Sequence, residues 1–237
     1  MIKHPTDIYH ILFSYFGPRN WWPMDRQYHK DNKCDPRFEV IIGAILTQNT
    51  AWSNVERAIE NLKRNRMLSI NEINKCDINF LKELIRPSGF FNQKAKRLKI
   101  IGSFLKKEFN GDLDAFFSQS INSIRSQLLA LNGIGSETAD SILLYAGNKP
   151  VFVVDAYTKR MCHRLKLHVN YQSYQKIQHY FSKDLSDNYQ ENQRVQVFNE
   201  CHAVIVEWAK TFCLKKKPKC VHCPLQHLCS YKETMDL

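Results

Sequence analysis

The sequence predicts an all-α protein, and two observations support that prediction. The 237 residues include only 8 glycines and 8 prolines, and few segments alternate apolar and polar side chains as strands do. Apolar residues instead recur at three- and four-residue steps over 38–64 and over a series of later segments. The later segments are 72–85, 94–108, 122–131, 137–146, 156–165, 173–184 and 194–210.

Individual residues indicate where these helices begin and break. Asn49 and Thr50 interrupt the apolar pattern of the first segment, so we expect two helices there. Ser120 and Ser136 stand immediately before two apolar segments, where helix caps are expected. The segment most like a strand is PVFVVD at 150–155, although it would serve equally well as an extended link between helices.

The chain is strongly basic, with 34 Lys and Arg against 23 Asp and Glu and a formal net charge of +11. Such a surplus on a globular domain favours a polyanionic partner, and nucleic acid first. A solvated basic surface without a partner is the alternative. No apolar run approaches the roughly 20 residues of a membrane helix, and the N-terminus lacks the layout of a signal peptide. We therefore expect an intracellular protein without membrane contact.

The segment LNGIGSETAD has the pattern of a tight hairpin between two helices. Gly133 and Gly135 flank Ile134, which can plug a small core, while the glycines permit a tight turn and the close approach of another backbone. Ser136 then begins a helix with Glu137 in its first turn. Exposed amides at such a helix start suit an anion, for example a DNA phosphate. An ordinary helix–turn–helix without a ligand is the alternative.

Four of the eight cysteines crowd near the C-terminus in the spacing C-x6-C-x2-C-x5-C. They are Cys213, Cys220, Cys223 and Cys229. Because an intracellular protein keeps its thiols reduced, this crowding indicates metal ligands rather than disulfides. Four thiolates can hold either a zinc ion or an iron–sulfur cluster, and the chemistry of the residues leaves both open.

Four motifs, in their order and spacing, resemble the helix-hairpin-helix DNA glycosylases of the endonuclease III superfamily. They are ILTQNT with Gln48, GFFNQKA from Gly89, the hairpin segment from Leu131, and VFVVDAYTKR with Asp155. Asn132 stands where that superfamily usually has proline. The resemblance implies that Asp155 is the catalytic carboxylate and that Gln48 fills the hole left by an extruded base. Without this resemblance, an aspartate after an apolar run is more often a helix cap.

The same resemblance extends over roughly residues 30 to 230 and implies a two-lobed fold. A six-helix barrel lobe with the hairpin would span 30–149, and an iron–sulfur lobe would combine 1–29 with 150–237. The cysteine spacing matches the iron–sulfur loop of endonuclease III and its adenine-glycosylase relatives, which implies a [4Fe–4S] cluster. The loop between the first two ligands carries Lys215, Lys216, Lys217 and Lys219. Lys216 and Lys217 would face the DNA backbone, unless the loop is simply solvated.

The helix after the hairpin distinguishes branches of the superfamily. Members that also cleave the strand carry a lysine in the pattern G-V-G-R-K-T-A, and its amine forms a Schiff base with the sugar. GIGSETA has Glu137 at that position, so the expected product is an intact abasic site.

Three local matches, RPSGFFNQKAKRL, NWWP and GIGSETADSILLYA, resemble the bacterial 3-methyladenine DNA glycosylase branch. This resemblance implies that Trp21 and Trp22 line an aromatic pocket, with Glu137 at its edge. Ordinary core packing is the alternative for the tryptophans. Members of that branch can lack the cluster cysteines, whereas this chain keeps all four.

The resemblance thus predicts a monofunctional DNA N-glycosylase that releases damaged bases, alkylated purines first, from double-stranded DNA. An ionised Asp155 would stabilise the oxocarbenium-like sugar and orient or deprotonate the attacking water. The alternatives are an endonuclease III acting on oxidised pyrimidines with lyase activity, a mismatch adenine glycosylase, and a non-catalytic DNA-damage-binding module. We expect a monomer in the bacterial cytoplasm, associated with the nucleoid.

Overall fold

The structure, a computed structural model, describes residues 4–231 and confirms the predicted all-α class. Helices and short helical turns make up its regular structure, and no strand occurs within the described range. The chain divides into two compact units. One unit is residues 22–149, and the other consists of the described parts of 1–21 and 150–237. No helix between residues 4 and 231 combines the length and apolarity needed to cross a membrane.

The unit of residues 22–149 is a succession of helices that bury a common core. The helices are α2 (Arg26–Asp31), α3 (Pro36–Leu46), α4 (Trp52–Arg64), α5 (Ile70–Lys75), α6 (Ile78–Ile85), α7 (Phe91–Phe109), α8 (Leu113–Phe117), α9 (Ile121–Ala130) and α10 (Ser136–Ser141), with a 3-10 turn at Arg86–Ser88 and a π-helical turn at Ile142–Ala146. From Phe38 to its end, α3 is buried throughout. In contrast, α4 buries only its apolar stripe, as its three- and four-residue spacing predicts.

The other unit is arranged around one long helix. Its elements are α1 (Pro5–Phe16), α11 (Ala156–Arg164), α12 (Tyr174–Asn188) and α13 (Glu191–Thr211), followed by 3-10 turns at Cys220–His222 and Gln226–Leu228. Helices α1, α11 and α12 all pack against α13, which is buried over most of 197–209. Residues 151–154, which could have formed a strand, are a buried link without regular secondary structure that leads into α11.

The predicted break near Asn49 is confirmed, since α3 ends at Leu46 and α4 begins at Trp52. Asn49 has a φ of 54°, in the left-handed region that asparagine tolerates better than most residues. The apolar segment 72–85 also contains a break that the sequence analysis did not predict. There the Asp77 carboxylate caps α6, so α5 and α6 are separate helices.

One predicted helix cap is confirmed and the other is wrong. The Ser120 hydroxyl accepts the backbone N–H of Ser123 at the start of α9. Ser136, in contrast, is the first helical residue of α10, and Gly135 occupies the cap position without a side-chain hydrogen bond. A glycine is a tolerated cap because its exposed backbone can be solvated or can bind a ligand.

The boundary within the first thirty residues also differs from the expected one. We expected residues 1–29 to join the C-terminal lobe, but the division falls between Trp21 and Trp22. Trp22 packs on Gly43 of α3, and the buried His29 of α2 bonds to Glu39 of α3, with 2.6 Å between Nε2 and Oε2. These contacts place residues 22–29 with the unit that contains the hairpin.

Candidate functional site

Asp155 stands where the buried link 151–154 enters α11, and it caps that helix. Its Oδ1 accepts two hydrogen bonds from Thr158, from the backbone N–H at 2.7 Å and from the hydroxyl at 2.9 Å. Only 13% of its side chain is exposed. The residue is therefore a helix cap, as the local pattern alone indicates, and its carboxylate is largely buried.

The surroundings of Asp155 favour its ionised form. Burial alone would raise the pKa of this carboxyl group, but the His202 imidazole and the Thr158 amide and hydroxyl together lower it below its ordinary value. A carboxylate with a lowered pKa stays charged at neutral pH, so it can accept a proton or stabilise a developing positive charge.

His202 and Trp21 belong to the same unit as Asp155. His202 faces the Asp155 carboxylate, and Trp21 contacts His202. The His202 side chain is 7% exposed, and its Nε2 lies 3.6 Å from Oδ2 of Asp155. The Trp21 ring meets the imidazole edge-on, with 6.0 Å between ring centroids. In turn, the amide nitrogen of Asn199 donates to the Trp21 carbonyl at 2.7 Å. Helix α13 therefore carries the imidazole that faces the carboxylate, and it also binds the backbone of Trp21, whose ring packs on that imidazole.

The two glycines of the hairpin have different structural roles. Gly133 has a φ of 86°, and a Cβ there would overlap the Arg97 side chain at Nε. Gly135 has a φ of −95°, and a Cβ there would meet nothing within 4 Å. Ile134 between them is buried, as a plug requires. Gly133 is thus needed for the turn itself, whereas Gly135 leaves an open backbone surface.

A charged pair joins the two helices of the hairpin. The Arg125 guanidinium on α9 donates to both carboxylate oxygens of Asp140 on α10, from Nε at 2.7 Å and from NH2 at 3.2 Å. Asp140 is fully buried. This bidentate geometry fixes the angle between the helices and hence the conformation of the turn.

Both polar side-chain atoms of Gln48 are hydrogen-bonded, the amide nitrogen to the hairpin and the amide oxygen to α7. Its Nε2 donates to the Gly133 carbonyl at 3.1 Å and to the Thr138 hydroxyl at 2.9 Å. Its Oε1 accepts from NH1 of Arg97. In this structure Gln48 therefore braces the turn, and the sequence analysis did not identify its partner Arg97.

Trp22 lies in an aromatic cluster within the unit of residues 22–149. Its ring is edge-on to Trp52, at 5.0 Å between centroids, and to Tyr145, at 5.3 Å. Gly43 makes room for the indole, since a Cβ there would approach it to 2.7 Å. Within residues 4–231 the buried Nε1–H has no hydrogen-bond acceptor.

Glu137 is exposed in the first turn of α10 in the same unit.

Phe90 is a second residue that the sequence analysis missed. Its ring is 62% exposed, and its φ of 45° is unusual for a bulky residue. The fully buried Lys94 holds this loop, because its ammonium donates to the carbonyls of Ser88 and Leu46, each at 2.7 Å. Phe90 belongs to the GFFNQKA motif, but apolar spacing does not distinguish an exposed phenylalanine from a buried one, so the motif gave no role for this ring.

The four predicted cysteine ligands line one pocket. Arg164, Trp208 and Tyr231 also contribute to its wall. Nε1 of Trp208 donates to Sγ of Cys223 at 3.1 Å, and NH1 of Arg164 donates to Sγ of Cys213 at 3.1 Å. Such N–H donors suit thiolates rather than neutral thiols. Within residues 4–231, no group of three or more His, Cys, Asp or Glu side chains is arranged to hold a metal ion.

The loop between the first two cysteines presents its lysines to solvent. Lys216 and Lys217 are exposed, as are their neighbours Lys215 and Lys219. The buried Arg164 anchors this loop by donating to the carbonyls of Leu214, at 2.8 Å, and Lys215, at 3.2 Å. The backbone of the loop is thus fixed at its base, while the ammonium groups remain available for an anionic surface.

Comparison with known families identifies residues 42–186 as a match to the HhH-GPD superfamily of base excision DNA repair proteins. This range contains Gln48, the hairpin and Asp155, and it ends before Cys213, the first of the four clustered cysteines. A Methanocaldococcus jannaschii protein provisionally named as a DNA repair glycosylase is 45% identical over 95% of both chains. Endonuclease III of Sulfolobus acidocaldarius is 28% identical over 82% of both chains.

Solved structures agree with this match. H. pylori 3-methyladenine DNA glycosylase, bound to 1,N6-ethenoadenine, is 30% identical, with a TM-score of 0.72 over 88% of this chain and 98% of the other. An endonuclease III trapped on DNA shares the fold over the full length of both chains, with a TM-score of 0.71 at 19% identity. This chain belongs to the HhH-GPD superfamily of base excision DNA repair proteins, as an endonuclease III-like DNA N-glycosylase.

Proposed function

We propose that this DNA N-glycosylase is monofunctional and that it removes alkylated purines from duplex DNA. The observation that carries the proposal is the carboxylate at position 137. Glu137 is exposed in the first turn of α10, where strand-cleaving members of the superfamily carry the lysine that attacks the sugar. A carboxylate cannot form a Schiff base, so the reaction would end at an intact abasic site.

In this proposal Asp155 carries out the hydrolysis after the damaged base has left the stack. The bond between C1′ and the base nitrogen breaks, and the base departs with the electron pair. The charge that develops on the sugar is stabilised by the ionised carboxylate. A water oxygen then bonds to C1′, and Asp155 accepts the proton that this water loses. The lowered pKa of Asp155 supports this assignment, because only the ionised form can perform either task.

The aromatic cluster of Trp22, Trp52 and Tyr145 supports an alkylated purine as the substrate. An alkylated purine is electron-poor or cationic, and such rings interact favourably with aromatic faces. The buried Trp22 N–H adds a donor that a base acceptor could engage. The 30% identical relative is a 3-methyladenine DNA glycosylase whose structure holds 1,N6-ethenoadenine, which supports the same class.

Gly135, Gln48 and Phe90 would contact the DNA. The open surface at Gly135 would let a phosphate approach the backbone amides, a contact that positions the protein without reading sequence. Gln48 would fill the hole left by the extruded base. The exposed ring of Phe90 suits insertion between bases, where an aromatic side chain replaces lost stacking.

We further propose that Cys213, Cys220, Cys223 and Cys229 hold a [4Fe–4S] cluster. The shared pocket and the donors from Arg164 and Trp208 fit thiolate ligands. When bound, the cluster would cross-link the four cysteines and contribute charge, without taking part in the reaction. It would also fix the lysine loop, the segment 214–219 between the first two cysteines.

The lysine loop makes a testable contribution to binding. Replacing Lys216 and Lys217 with Gln should weaken binding to any duplex and should reduce the slope of log K against log salt by about 2. The check is a fluorescence-anisotropy titration at several salt concentrations. As a matched control, the exposed Lys106 and Lys107 of α7 should tolerate the same change. An unchanged slope for the Lys216 and Lys217 variant would show that the loop is merely solvated.

The lesion class is tested by base release from two duplexes, one with an alkylated purine and one with an oxidised pyrimidine. We expect chromatography to detect the free alkylated base and little or no release of the oxidised pyrimidine. Efficient release of the oxidised pyrimidine alone would overturn the proposed substrate and would favour an endonuclease III-type activity.

A further inference from the structure

The two oxygens of the Asp155 carboxylate have different surroundings. Oδ1 accepts both hydrogen bonds from Thr158 and is committed to capping α11. Oδ2 faces Nε2 of His202 at 3.6 Å. Since a direct N–H···O bond spans about 2.7–3.2 Å, a shift of roughly half an ångström would complete a hydrogen bond there. Thr158 fixes one end of the carboxylate, and His202 faces the other.

We propose that His202 is a positioning residue for base excision, with its Nε2–H donating to Oδ2 of Asp155 and aiming the carboxylate at the sugar. This inference rests on the proposed function, in which Asp155 is the catalytic carboxylate. The imidazole itself acts through Asp155 and has no assigned contact with DNA. Without the second hydrogen bond, the carboxylate could rotate about its bonds while remaining anchored through Oδ1 alone.

The structure holds the His202 ring firmly in this position. The imidazole, which α13 carries, is almost completely buried, and the Trp21 indole packs edge-on against it. The segment that carries Trp21 is itself pinned to α13. The buried Glu200 carboxylate accepts the backbone N–H groups of Arg19, at 2.7 Å, and Asn20, at 2.9 Å. A ring clamped in this way can fix the direction of a neighbouring carboxylate.

The test compares substitutions that keep or remove a donor at the Nε2 position. His202→Gln places an amide N–H close to that position, His202→Asn places one too far back, and His202→Leu fills similar volume without a donor. Each protein is assayed for single-turnover base release, for affinity to a duplex with an abasic-site analogue, and for melting temperature. We expect the Leu and Asn variants to lose about 10- to 100-fold in rate, with affinity unchanged and with Gln recovering most of the loss.

Equal rates in the Gln, Asn and Leu variants, or a loss that appears only in affinity, would overturn the positioning role. If His202→Leu fails to fold, the comparison of Gln with Asn still decides, because a packing role would not rank these two amides by reach. Asp155→Asn in parallel separates the two claims. If Asp155→Asn abolishes release while the His202 variants do not affect it, the inference fails alone. If Asp155→Asn retains release, the proposed function fails as well.

Discussion

Asp155→Asn is expected to reduce the rate of base release by about 10³-fold or more, because the variant loses the charge that stabilises the sugar and accepts the proton. Asparagine is as good a helix cap as aspartate, and its Oδ1 can still accept from Thr158. The melting temperature should therefore change little. The rate is measured in single turnover on a duplex with an alkylated purine.

The control for this variant is its affinity for a duplex with an abasic-site analogue, which should stay close to that of the unmodified protein. A variant that binds DNA normally but releases no base would separate chemistry from binding. In contrast, an Asp155→Asn protein with an undiminished rate would show that another group performs the hydrolysis.

Gly133→Ala should destabilise the protein by about 2–4 kcal/mol, since it combines a left-handed backbone with a steric overlap. The φ of 86° disfavours any Cβ, and the new methyl group would displace the middle of the Arg97 side chain. Because Arg97 also donates to Gln48, this displacement should loosen the brace across the hairpin. Urea denaturation gives the free energy of unfolding directly.

Gly135→Ala is the matched variant, and it should behave in the opposite way. Its backbone conformation is open to any residue, and a Cβ would meet nothing within 4 Å. Stability should therefore stay within about 0.5 kcal/mol of the unmodified protein, while DNA affinity falls because the methyl group stands where a phosphate would approach. If both variants bind DNA normally, the hairpin is not the phosphate contact.

Much of the fold could be predicted because it depends on local pattern. The all-helical class and the break near Asn49 follow from apolar spacing and from one left-handed residue. The position of Asp155 after a buried apolar link could also be predicted from PVFVVD. In contrast, the cap of α10 is Gly135 and not the expected Ser136. A serine before an apolar segment does not show whether it is the cap or already the first helical residue.

The contacts around the candidate site could not be predicted, because they join residues far apart in the chain. Gln48 and Gly133 are 85 positions apart, and nothing near Gln48 indicates that the hairpin would bind its amide. His202 lies in the largely buried middle of the long helix α13, where an ordinary buried histidine would have the same sequence context. The resemblance to a family gave positions of site residues, whereas their partners required the structure.

The central claim, excision without strand cleavage, is tested most directly on an end-labelled duplex that carries one alkylated purine. The duplex is incubated with the purified protein, and the products are resolved by denaturing electrophoresis with and without alkali, with borohydride added to a parallel sample. We expect cleavage only after alkali and no protein–DNA cross-link with borohydride. Cleavage without alkali, together with a borohydride cross-link, would contradict the proposed monofunctional activity. It would show that an amine elsewhere in the chain attacks the sugar, since residue 137 is a glutamate.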